Sequence, residues 1–284
     1  MHSTETIQMD SEVVFESKIA TFSDHELHTH DALEISVLVE NEAIYKLSQN
    51  ELPGMPGEVF LFRPFESHWT LLRDPKLPVK WIMVLFSPAV VRLVPDGYKL
   101  LTPFYTMDDF VPLLPADSLQ AIHIQQAARH GLEEAMHHPP GWQAKQYVLL
   151  LDILVQLYRW FLESRAGGEA QPSGLEPGII RAVEYTLKHF DQDIDVELLI
   201  RLSGMKRTWF YRKFQEATSL APQDFINRLR LQHCVYLLRH TRKSITEIAF
   251  ECGFHSLSYF NKFFKAAQAM TPSEYRQLHK KAAH

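Results

Sequence analysis

Hydrophobic positions are spaced in two different ways along the chain. Between residues 10 and 110 they form short apolar runs separated by Pro and Gly, which indicates β-strands; the clearest runs lie at 13–15, 35–39, 59–62 and 81–86. Residues 117–165 have helical spacing, interrupted at 137–141 by His-His-Pro-Pro-Gly, so we predict two helices there. After residue 178 the pattern predicts helices throughout.

A Gly- and Pro-rich stretch at 166–178 separates these two parts and is predicted to be a flexible linker. We therefore predict a strand-rich domain at 1–165, which ends in the two helices at 117–165, and a helical domain at 179–284. The predicted fold class is α+β and multidomain.

The helical domain contains the same pattern twice, fifty positions apart. Each copy has a short helix, a tight turn at Ser203-Gly204 or Cys252-Gly253, and a second helix that begins near residue 206 or 256. This is the helix-turn-helix pattern, whose second helix enters the major groove of DNA. The coinciding anchors are Glu197 and Glu247, Phe210 and Phe260, Phe214 and Phe264, Ala217 and Ala267, Pro222 and Pro272, and Phe225 and Tyr275.

Helical spacing predicts a buried stripe and an exposed opposite face on each second helix. The stripes are Phe210, Phe214 and Ala217 in the first copy and Phe260, Phe264 and Ala267 in the second. The exposed faces carry side chains of the types that contact DNA, although a solvated helix face is the alternative for any one of them. The base-edge candidates are Arg207, Thr208, Tyr211, Arg212, Leu257, Ser258, Asn261 and Lys262, the phosphate candidates are Lys206, Lys213 and Lys265, and His255 and Ser256 complete the predicted DNA-binding set.

Between the copies, residues 221–240 are predicted to form one long helix with Pro222 in its first turn. Such a helix would hold the two second helices at a fixed separation. A separation of roughly 34 Å would place both in the major groove on one side of double-stranded DNA.

Charge is divided unequally between the two domains. Residues 1–175 hold 12 Lys and Arg against 23 Asp and Glu, whereas residues 176–284 hold 17 against 11, within a total net charge of −5. This division is expected if only the C-terminal domain approaches a polyanion, although it could also have arisen by chance.

Composition narrows the class of protein. The apolar content of 46 % and the aromatic content of 12 % exclude disordered and fibrous chains. No apolar run is long enough to span a membrane, the N-terminus does not resemble a signal peptide, and the two cysteines, Cys234 and Cys252, lack metal-site spacing. We expect a soluble, cytoplasmic protein with reduced thiols and no membrane partner.

Three segments of the helical domain carry a family resemblance: SITEIAFECGF at 244–254, YFNKFFK at 259–265 and TPSEYR at 271–276. They resemble the AraC/XylS family of bacterial transcription regulators. The resemblance implies promoter DNA as a partner and activation through RNA polymerase, whereas the spacing does not distinguish activation from repression. Two departures are the absence of Gly at 268–270 and Lys262 where Arg is common, which weakens the case for bidentate guanine readout there.

The strand-rich domain contains a group of polar residues with regular spacing. His28, His30 and Glu34 share one parity, which would place their side chains on one side of a strand, and His68 follows Gly57 by eleven positions. These spacings resemble the two motifs of the cupin β-barrel, which often forms the ligand-binding domain of AraC-type regulators. The resemblance implies an N-terminal cupin-like β-barrel and a helical dimerisation segment before the all-α tandem helix-turn-helix domain.

A divalent metal is the only cofactor that these residues suggest, because imidazole and carboxylate groups bind Zn, Fe, Mn or Ni. The candidate metal ligands are His28, His30, Glu34 and His68. The alternative is a barrel that senses an organic ligand directly with hydrogen-bonded histidines. Aromatic walls with a few polar groups suit a sugar or a related metabolite, although the aromatic residues could simply be core. The candidate ligand-binding residues are His28, His30, Glu34, Tyr45, Arg63, His68 and Trp81.

The helices at 117–165 are predicted to pair subunits of a homodimer, because the second is apolar around much of its surface; packing within one chain is the alternative. The leading hypothesis is a sequence-specific DNA-binding regulator, expected to be an activator, which responds to a small-molecule effector. One alternative is a constitutive DNA-binding regulator whose barrel is only a dimerisation scaffold. The other is a metal-dependent cupin enzyme, for which a large DNA-binding domain is a poor accessory, so we expect no enzymatic activity.

Overall fold

The computed structural model describes residues 5–6, 12–21, 28–30, 32–47, 50–63, 68–106, 113–166 and 176–281. The chain divides into two compact units, Met1–Ser173 and Gly174–His284. The linker predicted at 166–178 lies mostly outside the described residues. None of the described helices combines the length and the apolar character needed to cross a membrane.

The N-terminal unit contains two five-stranded sheets. Its strands are β1 Glu5–Thr6, β2 Val13–Ala20, β3 His28–Thr29, β4 Leu33–Glu40, β5 Ala43–Leu47, β6 Asn50–Gly54, β7 Val59–Phe62, β8 His68–Leu72, β9 Val79–Phe86 and β10 Leu113–Leu114. One sheet has the order β1-β3-β8-β5-β6 and the other has the order β10-β7-β4-β9-β2. Neighbouring strands are antiparallel except for β1 and β3.

The strand-rich N-terminal region that the sequence predicts is confirmed, and most of its neighbouring strands are antiparallel. Strand β4 pairs with β7 on one side and β9 on the other, and its first six residues are all buried, including the polar residues Glu34 and Ser36. Within the described residues, hydrogen bonds do not join the two sheets into a closed barrel, so the predicted barrel closure is not found. The edge strands are β1 and β6 in the first sheet, and β10 and β2 in the second sheet.

Apolar side chains from both sheets meet in one cluster. Its buried members are Ala20, Ala32, Leu38, Ala43, Tyr45, Phe60, Phe62, Leu72, Val79, Trp81, Met83 and Leu85. The turn after β4 uses Asn41 with φ of 62°, and its side-chain amide donates to the carbonyl of Pro78 at 2.7 Å. Asn41 therefore adopts the left-handed conformation, which Asn tolerates better than most residues.

A helical pair follows the sheets. After a 3-10 helix at Pro88–Val91, the helices are α1 Gly97–Leu100, α2 Thr102–Tyr105, α3 Leu119–His137 and α4 Trp142–Ala166. The break between α3 and α4 falls at the predicted His-His-Pro-Pro-Gly segment. Helix α3 packs closely on β2, since a Cβ atom added at Gly131 would lie 2.3 Å from the ring of Phe15.

The C-terminal unit is helical throughout its described length, as predicted. Its helices are α5 Pro177–His189, α6 Val196–Ser203, α7 Arg207–Thr218, α8 Pro222–His240, α9 Ile245–Glu251, α10 Leu257–Gln268 and α11 Pro272–Lys281. Two starts are set by local caps: Asp195 accepts a hydrogen bond at the start of α6, and Ser244 forms a capping box with Glu247 at the start of α9. The predicted long central helix is α8.

Candidate nucleic-acid interface and buried polar cluster

The first helix-turn-helix consists of α6 and α7, joined at Gly204 with φ of 72°. Phe210, Phe214 and Ala217 are buried, and the ring of Phe214 lies 5.5 Å from that of Phe225 at the start of α8. The predicted stripe is therefore correct in this copy. Because this stripe faces the interior, the opposite side of α7 faces outward.

The outward side of α7 carries cations that already have partners within the protein. Arg207 forms an ion pair with Glu197 of α6, and its guanidinium carbon lies 5.5 Å from the ring centre of Tyr211. Lys213 is four-fifths buried and its Nζ donates to Glu216 Oε2 at 2.7 Å. This hydrogen bond lowers the pKa of Glu216. Two further predicted contacts on this surface, Lys206 and Thr208, are exposed.

The second helix-turn-helix consists of α9 and α10, joined through Cys252-Gly253 as predicted. Phe260 and Phe264 are buried, but Ala267 is exposed, so the prediction that Ala267 belongs to the stripe is wrong. Helices α5, α6 and α8 all pack on α7, whereas the main partners of α10 are α9 and α11. The last turn of α10 therefore lacks the cover that Ala217 receives in the first copy.

The predicted contacts of the second copy lie on one accessible side. His255 Nε2 lies 3.3 Å from the Asp193 carboxylate, and the Ser256 hydroxyl caps α10 by accepting from the backbone N–H of Tyr259 at 3.3 Å. Ser256 thus has a structural task that the sequence analysis did not assign to it. The others are Leu257, which is partly buried, and Ser258, Asn261, Lys262 and Lys265, which are exposed.

A buried arginine fixes the two copies in one frame. Arg230 of α8 donates from Nε to the carbonyl of Phe190 at 2.8 Å and from Nη2 to that of Gln192 at 2.9 Å. Burial lowers the pKa of Arg230. A Cβ atom at Gly253 would lie 2.9 Å from Arg230 Nε, and the φ of Gly253 is +84°, so only glycine suits this turn. Helix α8 is thereby hydrogen-bonded to the loop before α6, and the turn before α10 packs closely against the same guanidinium.

The N-terminal unit contains a buried polar cluster of His30, Glu34 and His68. One carboxylate oxygen, Glu34 Oε2, lies 2.9 Å from His30 Nε2 and 3.2 Å from His68 Nε2. Burial by itself raises the pKa of Glu34, but the hydrogen bonds and charges of the two histidines outweigh it and hold the pKa well below its usual range. Glu34 is on β4 and His68 on β8, so the cluster connects the two sheets.

The prediction that His28, His30 and Glu34 share one strand side is wrong. His28 is in β3, His30 follows it, and Glu34 is in β4 of the other sheet, so the chain passes between sheets within this segment. Strand parity therefore does not bring His30 to Glu34; the crossing does. The backbone of His28 pairs with that of His68, and its side chain lies outside the described residues.

The chemistry of the cluster fits a divalent metal. Nδ1 of His30 faces the carbonyl of Ala32 at 3.0 Å while its Nε2 faces Glu34, so both ring nitrogens face acceptors. A neutral imidazole carries a proton on only one nitrogen. The ligand atoms of His30, Glu34 and His68 lie within 4.8 Å of one another, and an imidazole oriented through its other nitrogen is typical of metal ligands.

Comparison with known proteins identifies the chain. Residues 199–278 match the family described as Helix-turn-helix domain. Over 252 residues the chain is 30 % identical to the HTH-type transcriptional activator RhaS of Escherichia fergusonii, covering 88 % of this chain and 87 % of the relative. The chain belongs to the AraC/XylS family. This AraC/XylS member is a DNA-binding transcription regulator, as the sequence predicted.

Two solved structures align with part of this regulator. The DNA-binding domain of AdpA in complex with a target DNA is 28 % identical, with 37 % of this chain and 95 % of that chain covered and a TM-score of 0.36. A probable AraC family transcriptional regulator from Rhodopseudomonas palustris is 29 % identical, with 36 % and 96 % covered and a TM-score of 0.34.

Two predicted ligand-binding residues of the regulator lie in the apolar cluster between its sheets. Tyr45 and Trp81 are buried there, and the Tyr45 ring centre lies 3.8 Å from that of Phe60. Burial raises the pKa of Tyr45, whose hydroxyl lies 3.4 Å from that of Ser36. These contacts favour the alternative that both aromatic residues are core. Arg63, directly after β7, is partly buried.

Sequence reasoning missed Trp209 and Arg230. Trp209 is an exposed aromatic residue on α7 at the position that Tyr259 occupies in the second copy, so comparing the repeats could have found it. For Arg230 the available signal was a charged residue between the apolar positions Leu229 and Leu231 of α8, which does not reveal its carbonyl partners.

Proposed function

We propose that this regulator is a transcriptional activator that binds promoter DNA as a homodimer and responds to a small molecule. Its support is the relatives named transcriptional activators, which align with most of the chain. Sensing and dimerisation belong to residues 1–165, the linker to 166–178 and DNA binding to 179–284. Contact with RNA polymerase follows from the family resemblance.

The exposed sides of α7 and α10 are proposed to contact DNA. Helix α8 has 19 residues and is about 28 Å long at 1.5 Å per residue. That length suits two recognition helices that occupy major-groove positions roughly 34 Å apart. The base-edge and phosphate residues are those predicted from the sequence. The guanidinium groups of Arg207 and Arg212 can both bond O6 and N7 of guanine, but Arg207 already pairs with Glu197 of α6, so Arg212 has the stronger chemical case.

Selection of bound duplexes from a random-sequence DNA pool tests this assignment. The full chain is expected to enrich a site with two conserved segments whose centres lie about 10 base pairs apart. Changing that spacing by half a helical turn should weaken binding, because one recognition helix would then face away from its groove. Enrichment of a single segment, with no dependence on spacing, would contradict a site read by both α7 and α10.

The dimer is proposed to form through α3 and α4. These helices are antiparallel, and Gln120 Nε2 donates to Glu163 Oε2 at 2.6 Å across the pair. Leu119 is 72 % exposed, and Ile122 and Leu162 are also exposed near that end, which leaves apolar surface for a second subunit. Sedimentation should show a dimer that Leu119→Glu weakens, whereas Met136→Glu at the other end of α3 should change it less. An unchanged dimer in Leu119→Glu would place the interface elsewhere.

The effector is proposed to act at the buried cluster of His30, Glu34 and His68. A charged group inside an apolar domain is costly unless it is paired, and such groups are frequent at functional sites. A metal held by these three residues would supply a positive charge that anchors a hydroxyl or carboxylate group of the effector. The imidazoles of His30 and His68 are the other polar groups of this cluster. The proposed effector class is a sugar or a related metabolite.

Thermal melting of the full chain tests the sensor. The panel contains sugars, sugar phosphates and aromatic acids, each with and without a chelator. A ligand at 100 times its Kd should stabilise its domain by about 2.7 kcal/mol. A shift that is lost in chelator would support the metal, and Glu34→Gln should abolish it.

A constitutive regulator with a scaffold domain is the second candidate. The packing of Tyr45 against Phe60 and Phe62 favours it, since these rings fill space that a ligand would need. If a well-folded protein shows no shift with any ligand or metal, this candidate replaces the sensor.

A further inference from the structure

A tryptophan lies exposed in the first turn of α7, beside the residues proposed to contact DNA. Trp209 is 43 % exposed. Its indole Nε1 donates to Glu176 Oε1 at 2.9 Å. Glu176 is the residue directly before α5, and its backbone carbonyl begins the hydrogen bonding of that helix. One edge of the indole ring is thus held by a residue far away in sequence, which limits the rotation of the ring.

The free face of this indole supports a guanidinium. The Cζ atom of Arg212 lies 3.9 Å from the Trp209 ring centre. On the other side, Arg212 Nε lies 3.7 Å from Glu216 Oε1. A planar guanidinium attracted to an aromatic face keeps its N–H groups in its own plane, where they remain able to donate. The side chain of Arg212 is still 55 % exposed, so those donors can reach a partner outside the protein.

We propose that Trp209, held by Glu176, is a positioning residue that presents Arg212 to a guanine in the major groove. The inference rests on the proposed role of Arg212 at a base edge. A guanine presents two acceptors, O6 and N7, that a guanidinium meets only in one orientation. Holding the guanidinium against the ring before binding reduces the conformational freedom that Arg212 loses on binding. Trp209 thereby sharpens discrimination at one base pair.

The neighbouring cation does not compete for this role. Lys213 Nζ lies 5.4 Å from the Trp209 ring centre, but it donates to Glu216 at 2.7 Å. An ammonium is a point charge without the planar donor pair. In the second copy the aromatic residue is Tyr259, whose hydroxyl accepts from Asn227 Nδ2 of α8 at 3.2 Å. The arrangement of indole and guanidinium therefore characterises the first helix-turn-helix.

The test uses full-length variants on the bipartite duplex selected by the unmodified chain and on duplexes with each base pair changed in turn. Arg212→Ala should reduce discrimination at one base pair by roughly 10- to 100-fold. Trp209→Leu should reduce discrimination at the same base pair by roughly 3- to 10-fold. The double variant should be no worse than Arg212→Ala, because the two residues act as one unit. Trp209→Phe keeps an aromatic face but loses the hydrogen bond to Glu176, so it should recover only part of the loss.

Three results would overturn the proposal: a loss in Trp209→Leu that is equal for all duplexes, a loss that multiplies with that of Arg212→Ala, or tighter binding by Trp209→Leu. If Arg212→Ala itself changes no base preference, the assignment of Arg212 fails, and with it the basis of this inference. If Arg212→Ala changes base preference and Trp209→Leu leaves it unchanged, only the positioning role of Trp209 fails.

Two further variants separate positioning from folding. Trp209 is exposed, so Trp209→Leu should melt close to the unmodified chain; this is checked before binding. Arg212→Lys keeps the charge without the planar donors, and it should lose discrimination while binding scrambled duplex as tightly as the unmodified chain. Full discrimination in Arg212→Lys would show that orientation of a guanidinium is not what matters.

Discussion

The two helix-turn-helix segments share a backbone plan but differ in how their outward side chains are held. On α7, Arg207 pairs with Glu197, and the guanidinium of Arg212 lies over the ring of Trp209. On α10, Asn261 and Lys262 are exposed. The repeat therefore determines where each recognition helix lies, whereas the chemistry of its outward side depends on neighbours that are not repeated.

This difference suggests unequal tasks in DNA binding. Side chains that are already ordered lose less conformational freedom when they meet a base, so the first segment is suited to discrimination. Polar groups without such supports on α10 can adapt to more than one base. We expect the second segment to contribute affinity and register, and the first to contribute the larger share of sequence preference.

The largest expected effect concerns the contact that holds the two segments in one frame. Arg230→Met leaves the carbonyls of Phe190 and Gln192 without their donors and should lower the free energy of unfolding by about 2–4 kcal/mol. Denaturant unfolding of the full chain measures it. Arg201→Met on the exposed side of α6 is the control, expected to change stability by no more than about 0.5 kcal/mol. Equal effects of the two changes would show that the frame does not depend on Arg230.

The next effect compares the residues at equivalent positions of the two segments. Arg212→Ala should cost about 1–3 kcal/mol of binding and relax preference at one base pair. Lys262→Ala should cost less than about 1 kcal/mol, because its flexible ammonium makes no bidentate contact. Binding is measured on the selected duplex and on scrambled DNA. Identical losses on both DNAs for Arg212→Ala would make it a phosphate contact.

Salt dependence distinguishes the phosphate candidates. Lys265→Ala should reduce the slope of log Kobs against log salt concentration by about 1. It should also weaken binding to all DNA sequences alike. Lys213→Ala should also weaken all sequences but reduce the slope by less, because Lys213 already donates to Glu216 at 2.7 Å. Glu216→Gln is the matched change and should raise affinity for any duplex. A larger slope change for Lys213 than for Lys265 would reverse this order.

The smallest effect concerns the ends of the two recognition helices. Ser219 follows α7 and Ala269 follows α10, with φ of 59° and 56° respectively. Ser219→Gly and Ala269→Gly should each stabilise the fold by about 0.5–1 kcal/mol and so raise the melting temperature. The reason is that glycine adopts the left-handed backbone conformation without steric cost. Ala266→Gly inside α10 is the control and should destabilise by about 1 kcal/mol. Destabilisation by all three would mean that these end conformations are not strained.

The departure from the family pattern at 268–270 thus has a structural meaning. The chain keeps the left-handed conformation after α10 although it has Ala269 rather than glycine there. The segment is held by its surroundings: Thr271 and Glu274 exchange hydrogen bonds at the start of α11, and the ring of Phe264 lies 5.6 Å from that of Tyr275. Packing on both sides therefore replaces the intrinsic preference of a glycine.

Much of the fold could be predicted because its signals are local. The break between α3 and α4, the two helix-turn-helix turns and the long α8 follow from helical period, Gly and Pro. Local signals failed where the outcome depended on an absent neighbour or on a change of sheet. Ala267 has the right spacing for a buried stripe but lacks covering helices, and His30 reaches Glu34 across two sheets rather than along one strand.

By itself, the sequence determined the repeat, its family and the residue types on the outward sides of α7 and α10, because spacing and capping act between residues a few positions apart. The tertiary structure decided which of those side chains are held. Glu176 and Trp209 are 33 residues apart, and Arg230 and Phe190 are 40 apart. Such contacts depend on how whole helices pack, and no local pattern encodes that packing.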